Sequence, residues 1–116
     1  MKTILAAALV LAASAVSFNA VAAGNIDAGK AAAVKFNCAA CHGQDFNSPI
    51  DPSYPKLAGQ HKDYLAHALI AYQRGDGPNG RSNPIMGAQA KPLSHQDVLD
   101  IAAYLHSLPG NLIVPK

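Results

Sequence analysis

A chain of 116 residues with a formal net charge of +2 and 14% charged residues is long enough for one small domain, and it is too weakly basic for a nucleic-acid surface. Lys2 falls in the leader described below, and without it residues 24–116 hold eight basic and seven acidic side chains. Long-range steering toward a strongly charged partner is therefore expected to be modest.

The chain opens MKTILAAALVLAASAVSFNAVAA: one lysine, a run rich in Ala, Leu and Val, then small residues in an A-x-A-like pattern. That layout predicts a signal peptide over residues 1–23, cut after Ala22 or Ala23 with Ala23 preferred, and a single mature domain over 24–116. The apolar run is short for a membrane span, and no second one of spanning length follows.

Three helices are expected in the mature chain. The first covers 25–37, with Asn25 as N-cap and a run of alanines, and leads straight into the two cysteines. The second covers 61–74, where Tyr64, Leu65, Ala68, Leu69 and Tyr72 recur at helical spacing and Gly75 supplies the stop. The third covers 94–108: Ser94 and Asp97 form a capping box, Leu93 and Val98 a hydrophobic staple, and Pro109-Gly110 a terminator. Val98, Ile101, Ala102 and Leu105 make its buried stripe. The segments between, 43–60 and 75–92, are dense in Gly, Pro, Asn, Asp and Ser and show no strand pattern. Loops of that length in a small domain with six aromatic residues after leader removal ask for a large apolar ligand at the centre.

The only two cysteines, Cys38 and Cys41, stand in CAACH, directly before His42. A structural zinc site would need a second Cys or His pair, and none is present at regular spacing. A thioredoxin-like dithiol belongs to a βαβ setting. A disulfide across two residues would remove almost no loop entropy. C-x-x-C-H is instead the attachment signature of c-type haem: two thiols add to the two vinyl groups on one side of the porphyrin, and the next residue brings an imidazole to the iron. Cys38 and Cys41 are thus the candidate thioether positions and His42 the candidate axial ligand.

The second axial position decides the chemistry, because one protein ligand leaves iron open to small molecules and two favour electron transfer. Met86, the only methionine after the leader, lies in SNPIMGAQ, read here as a polar loop rather than a core helix face, and is the leading candidate. His67, in the middle of the second helix among apolar residues, is the runner-up. His61, His95 and His106 are expected to face solvent.

GNIDAGK, CAACHG, YPKLAGQ, RSNPIMG and LSHQDVLDIAAYLHSL together resemble the class I c-type cytochromes, and are most similar to short bacterial periplasmic carriers and to single halves of their dihaem relatives. The resemblance covers nearly the whole mature chain. It implies an all-α cytochrome c fold, three main helices and long loops wrapped around one covalently bound haem c, with first and last helices crossing at Gly29 against Ile101 and Tyr104. It also implies that Pro55, ahead of Leu57, offers its carbonyl to the ligand imidazole, that Asn83 and Pro84 position Met86, and that Tyr64, Leu65 and Leu69 line the haem edge. The function it implies is a one-electron carrier in the periplasm, a monomer that catalyses no reaction of its own and exchanges electrons with redox proteins such as a dehydrogenase or terminal oxidase. The alternatives are a haem subunit docked on a larger oxidoreductase and a ligand-binding haem sensor or enzyme. A weakly basic collar of Lys56, Lys62, Arg74, Arg81 and Lys91 is weighed against ordinary surface solubility, and the latter is preferred.

Overall fold

The computed structural model describes residues 12–15 and 23–111. The expected leader lies almost wholly outside these residues, as do the last residues of the expected domain. Among the described residues there are five helices and no strand, so the all-α expectation holds. None of these helices is long and apolar enough to cross a membrane.

Helix α1, Ile26–Lys35, starts where Asn25 turns its side chain back to accept the Ala28 N–H at 2.8 Å. It stops two residues earlier than its composition suggests. Asn37 takes a left-handed conformation, φ 56°, which asparagine tolerates better than most residues. The Asn37 N–H donates to Val34 O at 3.0 Å and the Cys38 N–H to Ala33 O at 3.0 Å, the paired bonds of a Schellman stop. The stop turns the chain directly into helix α2, Ala39–His42, a single turn closed by Gly43 at φ 89°.

Helix α3, Lys62–Arg74, buries Leu65 and Ala66. Helix α4, Pro84–Ala90, occupies a stretch the sequence reading took for loop. Its causes are local: proline is well suited to the first helical position, and the Asn83 side chain accepts the N–H groups of Ile85 and Met86 at 3.0 and 2.9 Å. Helix α5, His95–Ser107, has the full capping box between Ser94 and Asp97 and buries Val98, Asp100, Ile101, Ala102, Ala103 and Leu105.

Helices α1 and α5 form the main crossing, α3 packs on α5, and α4 packs on α3. The closest approach at Gly29 is to Tyr104, as the resemblance implied, and to Asp100: a Cβ on Gly29 would meet the Asp100 carbonyl and stand 2.7 Å from Tyr104 Cβ. Asp100 is buried there and accepts the Asn25 N–H at 2.8 Å and the Gln96 side-chain amide at 2.9 Å. Ile101 lines the central cavity. The core is small and rich in alanine, built around Val98, Ile101, Ala102, Leu105, Leu65 and Phe46. Burial of this extent is thin for a domain of this size.

Candidate haem site

Cys38 caps the single turn of α2 and Cys41 lies within it three residues on, so both thiols fall on one side of it. Both are free and half-buried, and burial above all pushes the Cys38 thiol up, with Cys41 beside it adding to the effect. His42 follows at the end of the turn and is 6% exposed. Its Nδ1 lies 2.9 Å from Pro55 O. A carbonyl can only accept, so Nδ1 carries the proton and Nε2 keeps its lone pair.

The loop that supplies Pro55 is itself fastened on several sides. Asp45 draws in the N–H groups of Asn47 and Ser48, each at 2.9 Å, and these bonds, the first foremost, hold its carboxyl below the usual carboxylate range. Phe46 O accepts the N–H of Leu57 at 2.8 Å and of Ala58 at 3.1 Å. The Gly59 N–H reaches Leu105 O at 2.9 Å, and His106 Nδ1 donates to Gln60 O at 2.8 Å, so the end of α5 holds the loop that orients His42.

These elements enclose a cavity of about 330 Å³. Cys38, Cys41, His42 and Met86 all line it, with Leu65, Ile101 and Leu105 as its buried wall. Pro55, Leu57 and Asn83 border it too. Tyr64 and Ile85, each at least half exposed, stand where it meets solvent.

Of the five histidines only His42 lines this cavity. His67, the runner-up ligand, is exposed and faces a separate groove on α3 with Arg74: it lies one residue off the buried pair Leu65 and Ala66. His61, His95 and His106 are exposed. Met86 sits in the first turn of α4 rather than in a loop, half-buried.

The sequence reading did not single out Tyr54, and it placed Tyr72 on the second helix and Arg81 in a basic collar without bringing the two together at the cavity. Tyr54 packs against the His42 ring at 6.4 Å between centroids. Tyr72 lines the cavity together with Arg81, whose guanidinium is held above its ordinary value by hydrogen bonding to the Tyr64 hydroxyl and then to Tyr72. The spacing of Tyr64 and Tyr72, two turns apart on one helix, was the available signal.

The residues present fit a covalent haem: two free thiols on one turn, an imidazole with its unprotonated nitrogen available, a thioether, and an apolar wall, all on one cavity. The model for the cytochrome c family matches residues 26–109. Cytochrome c4 of Stutzerimonas stutzeri is 43% identical over 96 residues, covering 78% of this chain and 44% of its own length. Cytochrome c-554(548) of Halomonas halodenitrificans is 41% identical over 70 residues, covering 60% of this chain and 82% of its own. The crystal structure of reduced recombinant cytochrome c4 from Pseudomonas stutzeri superposes with a TM-score of 0.68 at 40% identity, over 77% of this chain and 48% of that one. The chain belongs to the cytochrome c family, is similar to one half of cytochrome c4, and has one covalent haem c as its cofactor. It spans less than half the length of the c4 relatives it matches.

Proposed function

We propose that the protein is a one-electron carrier, exported to the periplasm after removal of residues 1–23, that passes electrons between redox proteins and catalyses no reaction of its own. Cys38 and Cys41 hold the haem through thioethers, His42 and Met86 supply the two axial ligands, and Pro55 fixes the His42 tautomer through Nδ1. When bound, haem c supplies an iron that takes up and releases one electron. The observation that supports this reading is that one imidazole and one thioether line the same cavity as both thiols, so that the two side chains would fill both axial positions of a bound haem and leave none for a substrate. Leu57, Leu65, Ile101 and Leu105 exclude water from that cavity, while Tyr64 and Ile85 leave an apolar rim at which a partner can dock briefly.

That same exposed rim also suits a second reading, a haem subunit resting permanently on a larger oxidoreductase. Mild purification from the native source separates the two: a carrier leaves as a single small chain and a subunit travels with its complex. The carrier chemistry itself is tested with carbon monoxide. The ferrous protein should bind it poorly at neutral pH and Met86→Ala should bind it readily; ready stoichiometric binding by the unmodified protein would favour a sensor or enzyme.

A further inference from the structure

Helix α4 has seven residues and buries only Gly87 and Ala90, with Ile85 left 53% exposed. A helix that short does not persist on its own propensity, and little apolar burial holds this one. Polar contacts from α3 grip it at both ends. At its C-terminal end and just beyond, Gln73 Nε2 donates to Ala90 O at 3.0 Å and to Leu93 O at 2.9 Å. Before its N-terminal end, Arg81 lies over the rings of Tyr64 and Tyr72, 5.6 and 5.5 Å from their centroids. The same residue donates Nη2 to the Tyr64 hydroxyl at 3.4 Å and its backbone N–H to Ala71 O at 2.8 Å. All the anchors belong to α3, which is itself packed on α5.

We propose that Gln73 and Arg81 form a two-point clasp that holds the methionine helix against α3 and sets how often Met86 leaves the iron. The inference rests on the reading of Met86 as an axial ligand. Both residues are positioning residues, since they act on the ligand through the backbone of α4. The sulfur can leave by rotation of the flexible methionine side chain or with movement of α4 away from the cavity, and the two grips act on the second route by closing each end of that motion. Arg81 suits its end because a planar guanidinium can lie on two phenol rings while its fork reaches a hydroxyl. A lysine keeps the charge but not that geometry.

The test uses the ferric haem-loaded protein and imidazole in stopped flow. At high imidazole the rate of ligand replacement levels off at the rate of spontaneous methionine departure. Arg81→Lys and Gln73→Leu should each raise that plateau about fivefold, the scale of an exposed cation–π or single hydrogen-bond contact. Tyr72→Leu should do the same, and combined with Arg81→Lys should add little, because both remove one stack. A lower melting temperature with an unmoved plateau would mean that these contacts merely hold the fold, and overturns the clasp. Met86→Ala separates the two ideas. If it abolishes the plateau while the clasp variants leave it unchanged, ligation stands and the clasp fails. If Met86→Ala itself keeps the plateau, another group is being displaced and the clasp falls with the ligand.

Discussion

At the residue scale, the two proposed axial ligands have surroundings that differ in kind. His42 is buried and its tautomer is fixed by one carbonyl, so its available nitrogen is determined before any metal chemistry begins. Met86 is half-buried on a helix of marginal length. Replacing Met86 by His should lower the reduction potential, because imidazole donates more strongly than a thioether and favours the ferric state. Voltammetry of the purified variant checks this; an unchanged potential would mean that Met86 is not at the iron. Gly29 is the residue-scale counterpart in the scaffold. Gly29→Ala should destabilise the haem-loaded protein by about 3 kcal/mol or more, since the added Cβ meets the Asp100 backbone and no flexible side chain can give way. Chemical denaturation measures it.

At the element scale, the capping box opens α5 with reciprocal bonds, Asp97 N–H to Ser94 Oγ at 3.0 Å and Ser94 N–H to Asp97 Oδ2 at 2.9 Å. Ser94→Ala should cost about 1 kcal/mol, read from the denaturation midpoint. That helix was legible in the sequence because cap, staple, stripe and terminator agreed. The grouping of Cys38, Cys41 and His42 on one cavity was equally legible, as the motif is contiguous. Helix α4 was not, although Asn83-Pro84 is a helix start: Gly87 and the prolines nearby outweighed it, and a seven-residue helix shows too few periods to be recognised. The end of α1 was overrun for a related reason, because alanines carry no information about where the chain turns and the stop is made by the backbone angle of Asn37. The outward face of His67 and the Asp100 contact of Gly29 depend on how two helices cross, which a single sequence does not state.

At the scale of the whole molecule, the cavity takes the place that a larger core would fill. Without haem the chain should lose most of its helicity, because its alanine-rich core is too small to offset the ordering of the loops. Circular dichroism of the chain made without haem-attachment machinery checks this, and native-like helicity would contradict it. The crossing of the first and last main helices joins positions as far apart as Asn25 and Asp100. Its seam therefore lies inside the unit, and residues 36–94 run between the two helices that meet there. A second such unit can be strung behind the first on one chain without either opening, as beads are added to a thread. This is in keeping with the greater length of cytochrome c4 of Stutzerimonas stutzeri, of which this chain spans 44%.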